Sequence, residues 1–390
     1  MAKFLVIHPN MDIYGGGERV CHHIIKSLSK HGQQVELLAF DFDRARYTEI
    51  MGEKLPENIA VHTLGNRTIV EANPPLSVYK RRRNIIKLLK KYKATAEYDY
   101  TFSTQTFSAF EATLLEKATK NIIYVHFPEI HYDYDHSKKS TKIYRWLYKK
   151  LLERDISKLD LVFCNSNYTR AMTEKFWSRF GIKNLIVSYP PVESPFWSDK
   201  PLDKRTKRVL YVGRFVPQKR HDLMKKLATY FPQFEFVSVG LLRDSEESWF
   251  ENFSKDFPAN YTVKPNLPET ELIKLLQDSQ IYCHLMEGEH FGIAPMEALA
   301  SGCVTLVHNS GGSGEFIPEE FRWNTLEELK EKMSKLVGSQ NNYAQWNNKK
   351  LILQDKISIL KPENFEQQIW ENVETMMKQT KKVTSKKPFL

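Results

Sequence analysis

The chain has 390 residues, more than one domain of ordinary size contains, so two domains are expected. Hydrophobic residues make up 41% and charged residues 27% of the chain, a balance that excludes wholesale disorder. No apolar run approaches the roughly 20 residues of a membrane-spanning helix. The net charge of +10 attracts anions in general, but zinc-finger and RNA-recognition signatures are absent, so nucleic acid is not a predicted partner.

The four cysteines lie far apart in the sequence and none has CxxC spacing: they are Cys21, Cys164, Cys283 and Cys303. This usage argues against a zinc site and against a disulfide framework, and it predicts free thiols in a reducing compartment. The apolar run at residues 4–7 is too short for a signal peptide. A cytoplasmic protein is therefore expected.

The first half of the chain alternates short β-rich runs with helical patterns, which predicts α/β units around a parallel sheet. The predicted strands are 3–8, 34–39, 59–64, 99–103, 121–126, 160–165 and 185–189, with helices at 18–30, 78–92, 141–156 and 167–179. We assign residues 1–192 to an N-terminal Rossmann-like domain on this pattern.

The segment 193–206 is rich in proline and charge and is predicted to be a linker. A second α/β pattern fills 207–360, and residues 361–390 are predicted as a terminal helix that crosses back to the N-terminal domain. Strands are predicted at 208–213, 234–240, 261–264, 280–286 and 303–308, and helices at 219–230, 246–256, 269–278 and 293–301. Ligands of doubly wound sheets bind beyond the carboxyl ends of the strands, so a cleft between two facing domains is the expected site.

The glycine run at Gly15, Gly16 and Gly17 lies between the first predicted strand and the first helix. Glycines let a backbone approach a ligand closely, and a helix start offers N–H groups to an anion. The spacing is neither GxGxxG nor a P-loop, so a stored dinucleotide and ATP are not predicted. A plain glycine-rich turn is the alternative interpretation.

Two cations bracket a tight turn after the first strand of the second domain: Arg214 follows Gly213, and Lys219 opens the next helix. Two fixed positive charges at this place are suited to neutralising a diphosphate leaving group without a metal ion. The alternative is a pair of solvated surface charges.

The longest motif spans 287–302, where a strand ends in a glycine-containing loop and a helix begins near Ile293. Glu289 lies in the loop and Glu297 lies one to two turns into the helix. A carboxylate has two acceptor oxygens, so Glu289 is suited to sugar hydroxyls and Glu297 to the two hydroxyls of a ribose. The alternative is a helix start with one exposed glutamate.

His126 ends a predicted strand of the first domain, where it is placed to contact a substrate or carry a proton. A hydrogen-bonded structural histidine is the alternative. A nearby group could suggest a metal site, but its spacing matches no face of a helix, so no metal is predicted. That group comprises His131, Asp133, Asp135 and His136.

Two basic segments, 79–91 and 138–152, carry apolar residues at helical spacing with Lys and Arg on the other face. Such helices can lie on an anionic membrane surface. The alternative is a helix packed on the sheet with a solvated basic face.

Taken together, these segments resemble the family 4 retaining glycosyltransferases of the GT-B fold. Glu289-x7-Glu297 is similar to the Glu-x7-Glu motif of that family, Arg214 and Lys219 to its diphosphate-binding pair, and the glycine run to its first-domain loop. The resemblance implies two Rossmann-like domains, the first binding an acceptor and the second a sugar nucleotide. It implies that the donor contacts are Gly15, Gly16, Gly17, Arg214, Lys219, Glu289, Phe291, Gly292, Ile293 and Glu297, with His126, Arg214, Lys219 and Glu289 catalytic.

A narrower resemblance is to the α-1,2-mannosyltransferases that extend dolichol-linked oligosaccharide from GDP-mannose. The segments that carry it are 15–20, 165–169, 189–191, 289–293 and 308–312. The sequence departs from that group at Ser313, where those enzymes tend to have proline, and we expect it to lack their N-terminal membrane anchor. The resemblance implies a glycan acceptor that is lipid-linked, a peripheral location on the cytoplasmic membrane face, and neither cofactor nor essential metal.

Two other functions remain open from the sequence. The first is the same fold using a UDP-sugar and a soluble sugar acceptor, because residues 239–241 and 264–267 do not distinguish guanine from uracil. The second is a non-catalytic protein that binds sugar nucleotides within a glycosylation complex.

Overall fold

The computed structural model describes residues 1–11, 15–65, 80, 83–84, 86–87, 97–105, 120–128, 146, 155–182, 184–337 and 341–384. Most of the predicted helices 78–92 and 141–156 lies outside these residues, as does the group formed by His131, Asp133, Asp135 and His136. Two compact units are present, one of Met1–Pro190 with Glu363–Leu390, and one of Pro191–Pro362.

The strands, numbered along the described chain, alternate with helices as the sequence predicts. They are β1 Lys3–Ile7, β2 Gln34–Ala39, β3 Ala60–Thr63, β4 Tyr100–Ser103, β5 Lys120–Val125, β6 Leu161–Cys164, β7 Leu185–Val187, β8 Thr206–Val212, β9 Glu235–Gly240, β10 Tyr261–Pro265, β11 Ser279–His284, β12 Val304–His308 and β13 Arg322–Trp323. The α-helices are α1 Gly16–Lys30, α2 Arg44–Met51, α3 Asn167–Trp177, α4 His221–Tyr230, α5 Glu247–Phe253, α6 Glu269–Asp278, α7 Ile293–Ala300, α8 Leu326–Val337, α9 Asn341–Lys356 and α10 Pro362–Thr384.

The first unit is built on a parallel sheet with the strand order β3-β2-β1-β4-β5-β6-β7. The consecutive apolar residues Phe4, Leu5 and Val6 of β1 are fully buried, as expected of a strand covered on both faces. The chain reverses its direction of travel across the sheet between β1 and β4, which makes the carboxyl ends of these two strands a topological switch point.

The C-terminal helix α10 belongs to this first unit. Phe365, Ile369 and Val373 share one apolar core with β1 and α1. Glu366 also lies 2.8 Å through Oε1 from Nδ1 of His23 on α1, and its carbonyl oxygen accepts a hydrogen bond from Ser27. Apolar and polar contacts together therefore fix α10 on α1.

The second unit repeats the pattern with a parallel sheet in the order β10-β9-β8-β11-β12-β13. Its switch point lies between β8 and β11. The segment 193–206, predicted as a linker from its composition, differs from that expectation: Phe196 and Leu202 are buried and the segment packs in the second unit. The composition of the segment did not reveal this packing, because burial of two apolar side chains, Phe196 and Leu202, is enough to fix a segment rich in proline and charge.

The predicted strands agree with the observed ones to within about two residues at each end. The two-residue β13 was not predicted, because a strand that short leaves no periodic signal. The helix predicted at 219–230 begins instead at His221, after a 3-10 turn at Pro217–Lys219 and a left-handed residue at Arg220. No helix among the described residues is long and apolar enough to cross a membrane.

Candidate functional site

The second unit places Arg214 and Lys219 in the loop that follows β8 at the switch point. The loop departs beside β9, where a Cβ at Gly240 would lie 1.8 Å from the carbonyl oxygen of Gly213. Only glycine at 240 allows this backbone approach. Arg214 is exposed, and its guanidinium makes no hydrogen bond or ion pair with the described residues.

Lys219 is joined to the loop that follows β11. Its Nζ lies 2.9 Å from Oε2 of Glu289 and 2.9 Å from Sδ of Met286. The same carboxylate oxygen lies 3.1 Å from Nε2 of His284, the last residue of β11. The structure therefore brings two of the predicted catalytic residues, Lys219 and Glu289, into one ion pair, and it adds a histidine to them.

The environment keeps Glu289 ionised. Burial by itself raises the pKa of this carboxyl group, but the hydrogen bond from His284 and the positive charge of Lys219 outweigh that effect. The pKa of Glu289 therefore lies well below its ordinary value of 4.5. Burial lowers the pKa of His284, so its neutral ring serves as a hydrogen-bond donor to the carboxylate.

The next part of the motif forms a helix start without a side-chain cap. The residue before α7 is Gly292, with φ +86°. Because glycine has no side chain, no side-chain oxygen caps the N–H groups of the first turn. The N–H groups of the first turn, at Ile293 and the residue after it, have no partner within the helix and suit an anion. Phe291 is buried and packs edge-on against Phe316. Glu297 lies inside α7 and is buried as well.

The segment that follows β12 braces the Glu289 loop. The N–H of Gly288 donates to Oγ of Ser310 at 2.8 Å, and the N–H of Gly312 donates to the carbonyl of Glu289 at 2.7 Å. Ser310 is itself held by Nδ1 of His308 at 2.6 Å. Two hydrogen bonds from backbone N–H groups thus hold the backbone from which the Glu289 carboxylate projects.

In the first unit, His126 and the glycine run lie side by side. A Cβ added to Gly17 would lie 3.6 Å from Nε2 of His126 and 3.8 Å from Cε1 of His8. Nε2 of His126 lies 3.0 Å from the carbonyl oxygen of Thr104, so it carries the proton and donates to that oxygen. The structure therefore brings together Gly15 to Gly17 at the start of α1 and His126 at the end of β5.

A buried polar group at this switch point was missed in the sequence. His8 is fully buried, with Nδ1 2.7 Å from Oγ1 of Thr104 and Nε2 3.4 Å from Oε1 of Glu18. His8 follows β1 and Thr104 follows β4, so the switch-point rule could have singled them out. His284 was missed because it was read as an ordinary strand residue. A histidine at the end of an apolar strand was the available signal.

We expect the stability contributed by Glu289 to depend on pH. Because its folded pKa is depressed, this contribution is present above the ordinary value of 4.5 and is lost as the pH falls through the folded pKa. Glu289→Gln should cost about 2 kcal/mol of unfolding free energy at pH 7, and this deficit should shrink below pH 4.5. Urea unfolding at several pH values measures it, with Glu327→Gln at a 79% exposed side chain as the control. A deficit that does not change with pH would contradict the assignment.

Comparison with known proteins identifies the family. Residues 14–193 match the family model described as Glycosyltransferase Family 4, and residues 195–351 match the one described as Glycosyl transferases group 1. Between them the two matches leave only Ser194 uncovered from residue 14 to residue 351.

Two relatives share the name GDP-Man:Man(3)GlcNAc(2)-PP-Dol alpha-1,2-mannosyltransferase. The protein of Dictyostelium discoideum is 24% identical over 438 residues, covering 96% of this chain and 84% of that protein. The Homo sapiens protein is 31% identical over 172 residues, covering 39% of this chain and 35% of that protein.

Solved structures show the same fold along nearly the whole chain. Sucrose-phosphate synthase from Thermosynechococcus elongatus has a TM-score of 0.77 at 14% identity, covering 97% of this chain and 100% of that one. HepE from Anabaena, solved with UDP and glucose, has a TM-score of 0.70 at 16% identity, covering 96% of this chain and 100% of that one. The family and fold that the sequence motifs predict are therefore confirmed: this chain belongs to the family 4 glycosyltransferases and has the GT-B fold.

Proposed function

We propose that this glycosyltransferase transfers mannose from GDP-mannose to a lipid-linked glycan with retention of the anomeric configuration. The observation that carries the proposal is the similarity to the Dictyostelium enzyme over 96% of this chain. The name of that relative specifies a GDP-mannose donor and a dolichol-diphosphate-linked acceptor.

In this proposal the two cations of the second unit stabilise the departing diphosphate without an essential metal. An ammonium has three donors, and Lys219 directs two of them at Glu289 and Met286, so one remains for a phosphate oxygen. Arg214 is exposed and offers a planar fork that suits two phosphate oxygens. The N–H groups that follow Gly292 supply further hydrogen bonds to phosphate.

We assign the remaining polar groups to the sugars of the donor. Oε2 of Glu289 accepts from Lys219 and His284, while Oε1 accepts from the N–H of His290 at 3.2 Å, so Oε1 has the greater remaining acceptor capacity and is assigned to the transferred sugar. Glu297 is assigned to the ribose hydroxyls. In the first unit, Gly15 to Gly17 and His126 are assigned to contacts with the transferred sugar. The Nε2 proton of His126 is directed at Thr104, so Nδ1 is its acceptor atom in the absence of substrate.

We also propose that the reaction takes place at the cytoplasmic face of a membrane, with the protein bound peripherally. The supporting observation is the net charge of +10, which favours an anionic surface. The two basic segments predicted to make the contact, 79–91 and 138–152, lie largely outside the described residues.

A panel of donors and acceptors tests this function. Purified protein is incubated with GDP-mannose, GDP-glucose, UDP-glucose or UDP-N-acetylglucosamine, with EDTA present. Each donor is offered a lipid-linked mannosyl glycan in phosphatidylserine vesicles or a soluble mannoside. We expect transfer only from GDP-mannose to the lipid-linked glycan, with an α-linked product, and salt-sensitive sedimentation of the protein with the vesicles.

The other outcomes separate the alternatives. Transfer from a UDP-sugar to the soluble acceptor would replace the proposed function with the second enzymatic one. Nucleotide binding without turnover on any acceptor would indicate a non-catalytic partner. Activity that is lost with EDTA and restored by a divalent cation would contradict the metal-free role assigned to Arg214 and Lys219.

A further inference from the structure

A second ion pair runs beside the one between Lys219 and Glu289. Arg220 follows Lys219 directly, and its Nη1 is paired with Oε1 of Glu287, two residues before Glu289. The loop after β8 and the loop after β11 are therefore joined by two successive cation–carboxylate contacts.

The backbone at Arg220 is held in an uncommon conformation. Its φ of +55° and ψ of +39° lie in the left-handed region, where the described chain holds only two other residues besides glycines, Asp256 and Asn266. Glycine would adopt this conformation without strain, whereas an arginine is strained there. An arginine at position 220 therefore costs free energy that a glycine would not, which indicates that the Arg220 side chain has a functional role.

Stability does not account for that role. The side chain of Arg220 is 35% exposed and that of Glu287 is 57% exposed, and ion pairs this accessible to water stabilise a fold little. The Glu289 loop is already tied to the segment after β12 through the N–H groups of Gly288 and Gly312. Those bonds hold the backbone at Glu289, and the hydrogen bond from Oη of Tyr211 to the carbonyl of Lys219 holds the backbone of the other loop, but neither set restrains the Lys219 side chain.

We propose that Arg220 and Glu287 are a positioning pair that holds the ammonium of Lys219 against Glu289 before a nucleoside diphosphate binds. The left-handed turn at Arg220 directs its guanidinium to Glu287 while the preceding residue points to Glu289. Loss of either partner leaves the backbone of the β8 loop in place, because Oη of Tyr211 still donates to the carbonyl of Lys219 at 2.6 Å, but it removes the neighbouring restraint on the Lys219 side chain. The phosphates must then complete the ordering of that side chain when they bind. Neither residue is assigned a contact with the substrate. The inference rests on the proposed function, in that it takes the diphosphate to bind at Lys219.

Nucleoside diphosphate affinity tests the pair. GDP and UDP are titrated calorimetrically into the full-length protein and into Arg220→Gly, Glu287→Gln, the double variant, and the charge-reversed Arg220→Glu/Glu287→Arg. We expect each single variant to raise the Kd of the bound nucleotide about tenfold, and the double variant to be no weaker than the singles. The charge-reversed protein should recover part of the loss, which a purely structural effect of the substitutions would not produce.

Two controls separate the ion pair from backbone strain and from surface charge. Asp256→Gly relieves another left-handed residue that is exposed, at φ +58°, and should leave the affinity unchanged. Glu331→Gln removes an exposed pair with Lys335 on α8 and should also leave affinity unchanged. All variants are compared by thermal unfolding, so that a misfolded protein is recognised.

The outcomes distinguish this inference from the function on which it depends. If the wild-type protein binds neither GDP nor UDP, the proposed function fails. If it binds UDP but not GDP, the proposed donor fails as well. If it binds GDP and the single variants bind it equally well, the positioning pair is refuted while the function stands. Additive losses in the double variant, or no recovery on charge reversal, would also overturn the pair.

Discussion

Replacing Lys219 by alanine is expected to lower kcat/KM by about 100-fold or more, which corresponds to roughly 3 kcal/mol of transition-state stabilisation. The ammonium is held at a fixed distance of 2.9 Å from Glu289, so it needs little reorganisation when charge develops on the departing diphosphate. Arg214→Ala should produce a loss of similar size. The transfer assay measures both.

The fold should survive both substitutions. Arg214 is exposed, and removal of the Lys219 side chain leaves Glu289 with its hydrogen bond from His284 at 3.1 Å. A suitable control is Lys226→Ala, which removes an exposed lysine of α4 that lies 3.5 Å from Asp222. Turnover by Lys226→Ala should equal that of the wild type. Near-normal turnover by a correctly folded Lys219→Ala protein would end the catalytic role proposed for the ammonium.

Much of this fold was predictable because the signals are local. A buried parallel strand is a short apolar run, so β1 and β11 could be located directly in the sequence. Once the strands are placed, the switch-point rule indicates which loops can hold a ligand, and it selects the loop of Arg214 and Lys219 after β8. A site at these loops could therefore be predicted without knowing which distant residues contact each other.

The contacts within the site were not predictable, because they join residues far apart in the sequence. His8 meets Thr104 across 96 residues, and Lys219 meets Glu289 across 70. The sequence motifs predict the chemistry of Lys219 and of Glu289 separately. They do not predict that the two side chains form an ion pair in the absence of substrate. The left-handed turn at Arg220 has no sequence signal either, since arginine does not favour that conformation.

The second large effect is expected at Gly311, which lies against the Glu289 loop. Its φ of +82° and ψ of −165° fall in a region that is essentially restricted to glycine. A Cβ there would lie 2.1 Å from the carbonyl oxygen of Glu289 and 2.8 Å from its nitrogen. Both neighbours are backbone atoms, so no side-chain rotation can relieve the contact. Gly311→Ala must therefore shift the Glu289 segment.

We expect Gly311→Ala to lower the free energy of unfolding by about 3 kcal/mol, from backbone strain and the clash together. Gly181→Ala is the matched control, because Gly181 has φ +80° but no atom within 4 Å of an added Cβ, so only the strain of about 1 kcal/mol remains. Urea unfolding gives both values. Turnover should fall only in Gly311→Ala, because Glu289 leaves its position opposite Lys219. Equal stability losses in the two variants, with turnover retained in both, would mean that the brace after β12 does not set the geometry of the carboxylate.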